Sequence, residues 1–401
     1  MNEPKIRFEG FCEEWNLCLL NDCLEICTKK NCNNLYDKTD VLSVSDEFGV
    51  VNQIKHLGRS YAGKSVSGYK IINPGQIVYT KSPLRNKPFG IIKVNNFQPG
   101  IVSVLYAVYN TKDNVLPFFI DKYFEPNYRI NHYLLPLVSK GAKNTMNISD
   151  ETALQGYIII PNSKDEQNNI CDFFDSLDAQ IKATGERVAS LKQIKAASLQ
   201  AMFPQEGETT PRLRFKGFTE DWQLVTLGEL FKERTERNRN GELLSVTMNN
   251  GIIKASENGR SDNSSEDKSN YKVVKVGDIA YNSMRMWQGA SGCSQYEGIV
   301  SPAYTVIAPN ENICSAFFSY YFKTSDVIKI FRLHSQGLTK DTWNLKYPMF
   351  SLIELYFPNN PIEQQKIADY FTNLDRQISL QGQRLEKLKQ IKAACLDKMF
   401  V

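Results

Sequence analysis

The chain carries an internal duplication. The segment PKIRFEGFCEEWNLCLL that begins at Pro4 returns as PRLRFKGFTEDWQLVTL beginning at Pro211, 207 residues later. Phe8, Gly10, Phe11 and Trp15 reappear as Phe215, Gly217, Phe218 and Trp222. A second block, Pro161 to Phe203, returns 197 residues later from Pro358 to Phe400 with about half of its positions identical. Between these anchors the similarity is fainter but keeps its order. Tyr69 to Tyr79 matches Tyr271 to Tyr281, Gly100 to Ser103 matches Gly298 to Ser301, and Ser43-Val44 with Gly49 matches Ser245-Val246 with Gly251. The offset drifts through 202 and 198, so loops of unequal length separate two copies of one domain. Whatever one copy folds into, the other must fold into as well.

Length and composition fit that reading. The 401 residues divided by about 150 per domain give two to three domains, and each copy has enough chain for its own core. With 42% hydrophobic and 23% charged residues the chain reads as globular. The net charge of +4 is compatible with a polyanionic partner without requiring one. The first residues lack a basic segment followed by an apolar one, and no apolar run approaches membrane length, so a cytoplasmic location is expected. Of nine cysteines, five crowd into Cys12, Cys18, Cys23, Cys27 and Cys32. They form no C-x-x-C pair and only three histidines exist, so reduced thiols are expected rather than a metal site.

Each copy has two parts. The first is built of short β-branched and aromatic runs such as IINPGQIVYT and GYIIIP, broken by Gly, Pro and Asn, and reads as β-rich with a few helices. The second reads as one long helix. Ser163 is the expected N-cap with Glu166 three residues on, and Asn360 is its counterpart with Pro361 and Glu363. Apolar residues then recur at spacings of three and four: Ile170, Phe174, Leu177, Ile181, Val188, Leu191 and Ile194, and again Ile367, Phe371, Leu374, Ile378, Leu385, Leu388 and Ile391. About 38 residues make a helix of roughly 57 Å, longer than either domain needs, so the two seams are expected to bury each other. Thr184 and Gln381 interrupt them, each followed by glycine, as register-fixing positions or as plain imperfections. The expected layout is a first domain over 1–162, a helix over 163–203, a linker over 204–210, a second domain over 211–359 and a helix over 360–401.

Motifs that look like chemistry lack their context. Gly58-Arg-Ser-Tyr-Ala-Gly63-Lys64-Ser65 fits a phosphate-binding loop, but Gly68, Pro74 and Gly75 leave no room for the helix that must follow, and the second copy has Glu266-Asp267-Lys268-Ser269 in that place. Asp262 with Glu266, Asp267 and Lys268 resembles a nuclease cluster but sits in an Asn/Ser-rich loop. No glycine-rich cofactor loop and no Asn/Asp-Pro-Pro-aromatic tetrapeptide of a methyltransferase is present. What remains are polar and basic residues interleaved with aromatics where the copies differ. They are Tyr61, Lys64, Lys81, Ser82, Arg85, Asn86 and Lys87 in the first copy, and Asn249, Asn250, Arg285, Trp287, Gln288, Thr339 and Lys340 in the second. These side chains suit contacts to phosphates and base edges.

The duplicated F-x-G-F-x-x-x-W opening and the duplicated P-x-x-x-x-E-Q-x-x-I…L-D-x-Q-I…L-K-Q-I-K-x-x-x-L-x-x-M-F block resemble the specificity subunits of type I restriction-modification enzymes over essentially the full length. The resemblance implies an α+β fold with two pseudo-symmetric target recognition domains separated by two long antiparallel coiled-coil helices. It implies that each domain reads one half of a bipartite, asymmetric DNA sequence. Partners would be double-stranded DNA, two methyltransferase subunits and restriction subunits. S-adenosylmethionine, ATP and Mg would belong to those subunits, and this chain would hold no cofactor and do no chemistry. Phe173 and Tyr370, with Leu199 and Leu396, are candidates for docking the methyltransferase subunits, against burial on their own recognition domain. The competing readings are a nucleotidase using the GRSYAGKS loop and a coiled-coil scaffold that does not bind DNA.

Overall fold

The computed structural model describes residues 3–83, 87–140, 146–248, 251–258, 266–340 and 342–401. They form two compact units: residues 1–185 with 383–401, and residues 186–382. Each unit therefore contains one β-rich domain, the first half of that domain's own long helix and the second half of the other copy's helix.

In the first unit a four-stranded antiparallel sheet runs in the order Leu24–Ile26, Ala107–Thr111, Ile77–Tyr79, Ile92–Val94. The second unit repeats it with Phe231–Glu233, Tyr304–Pro309, Ile279–Asn282 and Ser291–Cys293. The turns into the third strand explain themselves. At Asn73-Pro74-Gly75-Gln76 the Gln76 amide donates to Asn73 O (3.2 Å) and Gly75 has φ +86; at Lys275-Val276-Gly277-Asp278 the bond is 3.0 Å and Gly277 has φ +88. Both need the left-handed third residue that glycine supplies without strain. Strand Asn16–Leu19 pairs antiparallel with Tyr157–Ile160, and Gln223–Thr226 with Glu354–Phe357. This ties the start of each domain to the strand that leads into its long helix.

Those helices are Lys164–Ala201 and Pro361–Lys398, 38 residues each. Ser163 Oγ accepts from the Glu166 amide (3.4 Å) and Asn360 Oδ1 from the Ile362 amide (2.9 Å). The glutamates have another task than closing a capping box. Glu166, buried, accepts from Arg7 Nε (2.7 Å), Arg7 Nη2 (2.9 Å) and Trp15 Nε1 (3.2 Å). Glu363 accepts from Arg214 Nε and Nη2, both at 2.8 Å. The neighbouring glutamines are also buried. Gln167 accepts from the Leu116 amide (2.8 Å) and donates to Asn114 O (2.9 Å) and Pro161 O (3.1 Å); Gln364 accepts from the Cys314 amide (2.8 Å) and donates to Pro358 O (2.9 Å). The repeated Glu-Gln pair thus pins each domain to the first turn of its helix.

The other helix ends complete the cores. In the first unit Phe400 stacks on Phe174 (5.9 Å) and meets Trp15 and Phe119 edge-on or tilted. In the second, Phe203 stacks on Phe371 (5.8 Å) and meets Trp222 and Phe317 likewise. Lys392 Nζ reaches Asp178 at 2.5 Å, and Lys195 Nζ reaches Asp375 at 2.5 Å. Moving up one helix from Phe174 to Asp178 moves down the other from Phe400 to Lys392, so within each unit the helices run antiparallel. The expected α+β fold, with its repeated β-rich domains and antiparallel helices, is the observed one.

The seam is shorter than the sequence stripe. Ile170, Phe174, Leu177, Leu191, Ile367, Phe371 and Leu374 are buried, but Ile194 and Ile391 are 41% and 40% exposed. A straight helix drifts by about 20° per heptad against a three-and-four spacing, so a stripe followed for three heptads rotates out of the contact. Of the two interruptions, Thr184 is buried and Gln381 half-buried.

Candidate nucleic-acid interface

In the second unit the sheet delivers two segments to one place. Strand Ile279–Asn282 runs into a tight loop in which Met286–Gln288 form a single 3₁₀ turn closed by Gly289 at φ +79. After helix Ser325–His334 the chain doubles back in a hairpin loop closed by a single antiparallel bridge, Gln336 and Asn344 exchanging amide bonds (2.9 and 2.8 Å). The segments are tied together twice. The Leu345 amide donates to Ser283 O (2.8 Å), and Trp287 and Trp343 meet edge-to-face at 5.4 Å. Trp287 Nε1 donates to Met284 O (3.0 Å), which fixes its ring. Arg285, Thr339 and Lys340 are exposed, and Trp287 and Gln288 are half-buried. Arg285 Nη1 donates to Gln288 Oε1 at 3.4 Å, a long bond across the same loop. The structure therefore gathers Arg285, Trp287, Gln288, Thr339 and Lys340, which lie 55 residues apart at the extremes, onto one surface. Beside it lies a cleft of about 640 Å³ lined by Arg237, Lys272, Met284, Asn344 and Lys346 among others. Asn249 and Asn250 lie outside the described residues.

The first unit uses its cations differently. Tyr61 is exposed, with the Arg59 guanidinium 4.6 Å over its ring and its amide donating to Gln53 Oε1 (2.7 Å). Lys64 is exposed and Ser82 half-buried. Lys81, at φ +48, pairs with Asp150 (2.5 Å), which also holds Lys70. Burial would raise the Asp150 carboxyl, but hydrogen bonds from Lys70 and Lys81 outweigh it and hold it below the usual carboxylate range. Lys87 corrects the sequence expectation: it is buried, donates to Glu125 O (3.0 Å) and pairs with Asp46 (2.7 Å), so its charge is spent inside the domain. Arg85 and Asn86 lie outside the described residues.

Among the docking candidates, Leu396 is likewise corrected. It is buried in the first unit's core, at the end of a helix whose last residues fill that core, and Arg129 Nη2 donates to its carbonyl (2.9 Å). Phe173 is half-buried against Phe8 (6.2 Å), Tyr370 against Phe215 (6.2 Å) with a hydroxyl contact to Ser198 (2.9 Å), and Leu199 is partly buried on the second core.

The chemical motifs have structural explanations. Gly58, at φ +77, ends helix Gln53–Leu57, and no helix follows Gly63, so the GRSYAGKS segment has its helix on the wrong side for phosphate. Asp267 accepts from the Ser269 amide (2.9 Å) and hydroxyl (3.0 Å); Asp262 lies outside the described residues. Cys18 and Cys23 are in sulfur contact at 3.5 Å, and among the described residues no three His, Cys, Asp or Glu are grouped to hold a metal ion. Among them, too, no helix is long and apolar enough to cross a membrane. Trp343, Leu338 and the clamp between the two loops were missed in the sequence. The available signal was Gln336-Gly337 followed by Asn344, turn residues flanking a polar stretch.

A family model described as "Type I restriction modification DNA specificity domain" matches residues 219–390, and the first half of the chain repeats the matched half in sequence and in strand order. The second copy is therefore similar to such a specificity domain. The chain is 29% identical over 136 residues to the type I restriction enzyme HindI specificity subunit of Haemophilus influenzae. That match spans 32% of this chain and 29% of the other's length. In fold it is similar to the S subunit of the type I restriction-modification system from M. genitalium, with a TM-score of 0.58 at 13% identity, covering 100% of this chain and 99% of that one. The HsdS subunit from Thermoanaerobacter tengcongensis aligns with a TM-score of 0.47 at 14% identity over 96% of both chains.

Proposed function

We propose that this chain is the non-catalytic, DNA sequence-specificity subunit of a type I restriction-modification complex. Each recognition domain reads one half of a bipartite, asymmetric target, and the paired helices set the gap and dock the methyltransferase subunits. The observation that carries the reading is the clamped pair of loops in the second unit, which presents an arginine, a glutamine, a threonine and a lysine beside two tryptophans on a rigid sheet. Such side chains make phosphate and base-edge contacts, and a fixed scaffold is what base discrimination needs. Two diverged copies suit unlike half-sites, as a symmetric dimer suits a palindrome. Methylation, ATP hydrolysis and cleavage, with S-adenosylmethionine, ATP and Mg, fall to partner subunits in the cytoplasm.

The test is methylome sequencing of the host with and without this gene. A two-part motif that disappears with the gene is expected; an unchanged methylome, together with no sequence preference in gel shifts with the methyltransferase subunit, overturns the reading. Exchanging residues 211–357 for those of a relative should alter one half of the motif and leave the other intact.

A further inference from the structure

At the tip of the clamped hairpin stands a side chain that the recognition surface above does not explain. Leu338 is 101% exposed, in contact with nothing that would hold an apolar group in the fold. The backbone that follows it is tied across Thr339 and Thr342. Thr342 N donates to Thr339 O (3.0 Å), Thr339 N to Thr342 Oγ1 (3.1 Å), and Thr342 Oγ1 back to Thr339 O (3.0 Å). Gly337 precedes it at φ +144, where a Cβ would lie 2.6 Å from Thr342 O, so this turn admits only glycine. The base of the hairpin is fixed by the Gln336–Asn344 exchange and by Trp343 on Trp287. A leucine pushed into water on a rigid support, followed by exposed Thr339 and Lys340, adds nothing to folding and is placed for an external contact.

We propose that Leu338 is a specificity-determining residue that reads the C5 methyl group of a thymine in the major groove of the half-site bound by the second recognition domain. This rests on the DNA-recognition reading above. A projecting apolar tip finds room in the major groove, about 12 Å wide, rather than in the minor groove of about 6 Å. In the major groove every base edge is polar except the thymine methyl, so an apolar tip has one partner there. Lys340 and Thr339 beside it supply a phosphate or base-edge contact that fixes the approach. In the first copy Ser139-Lys140-Gly141-Ala142 stands where the second has Ser335-Gln336-Gly337-Leu338, so the longer side chain belongs to one half-site only.

The experiment uses the full chain with its methyltransferase subunits and duplexes in which each thymine of the recognised sequence is replaced, one at a time, by deoxyuridine, which pairs identically but lacks the methyl. One position in the second half-site should weaken binding by roughly three- to tenfold, the scale of one buried methyl contact. Leu338→Ala should lose the same factor on the thymine duplex and become indifferent to deoxyuridine there. Absence of any deoxyuridine-sensitive position in the second half-site, or sensitivity that survives in Leu338→Ala, overturns the proposal while leaving sequence recognition standing. A 2-aminopurine fluorescence rise on binding that Leu338→Ala abolishes assigns Leu338 to a wedge between base steps and overturns it too. Failure of the wild-type complex to prefer its motif overturns this proposal and the recognition reading together.

Discussion

The two units share a frame and differ in how they use charge. At equivalent places on the long helices stand Asp178 and Asp375, each reached by a lysine from the facing helix, Lys392 or Lys195. From the recognition domain, however, Asp178 receives Lys122 (2.6 Å), whereas Asp375 accepts from the Tyr320 hydroxyl (3.0 Å). Glu125 adds a further acid to the first cluster through Lys392 (2.5 Å). The first unit also closes Lys70 and Lys81 on Asp150 and Lys87 on Asp46, while the second leaves Arg285 and Lys340 exposed on a clamped pair of loops. The lesson is that duplication kept the aromatic packing at Phe400 and Phe203 and the helix ion pairs Arg7–Glu166 with Arg214–Glu363 and Lys392–Asp178 with Lys195–Asp375, and reassigned the other charges around them.

The largest test breaks that joint. Phe400→Ala and Phe203→Ala should each cost about 3 to 5 kcal/mol, as large aromatic truncations in cores do. Hydrogen exchange should rise over residues 3–160 for the first and over 211–357 for the second; equal effects of one variant on both domains would refute the division into units. Next, Glu166→Ala and Glu363→Ala remove a buried carboxylate from an arginine, at about 3 kcal/mol each. Glu166→Ala should cost roughly 1 kcal/mol more, because Trp15 loses its acceptor as well, whereas Trp222 Nε1 has no hydrogen-bond partner to lose. Urea midpoints of the two variants decide this, and a smaller loss for Glu166→Ala would contradict it.

Smaller effects probe the surfaces. Arg285→Ala should weaken binding of the proposed target by about 1 to 3 kcal/mol if it contacts a base, and relax only the second half-site in a randomised-duplex selection. Lys340→Ala should instead lower the slope of log affinity against log salt by about one, with specificity unchanged. The smallest difference is in acid. Burial works against the Asp178 carboxyl, but hydrogen bonds from Lys122 and Lys392 prevail and hold it, like Asp150, below the usual range. A depressed folded value contributes stability that is complete above the unfolded value of about 3.9 and lost as pH falls through the folded one. Lys122→Met should let the Asp178 carboxyl rise, so that exchange in the first unit accelerates at a higher pH than in wild type; an unchanged acid profile would remove this pair from the account.

Most of the frame was legible in the sequence because repetition and apolar spacing are local signals. The duplicated openings, the Glu-Gln pairs and the two long helices all follow from them. The helix ends were harder to read. Met202-Phe203 and Met399-Phe400 look like frayed termini of amphipathic helices, and only the tertiary exchange of helix halves puts them in cores. The interface was half legible. Arg285, Trp287, Gln288, Thr339 and Lys340 were found by residue type, yet the clamp that unites them depends on Trp343 and Leu345, far along the chain. Residue type also misled at Lys87, since a lysine next to a proline and two residues from an arginine looks solvated until the turn after strand Leu42–Ser45 brings Asp46 against it.

The tie between the chain's opening and its last helical turn has a consequence of its own. Ile6 N donates to Lys398 O at 3.0 Å in the first unit, just as Leu213 N donates to Ala201 O at 2.8 Å in the second. The residues on either side of the interior linker are thus tied as the chain's opening and its last helical turn are tied. A circular permutant that opens the linker over 204–210 and joins residue 401 to residue 1 should keep both bonds.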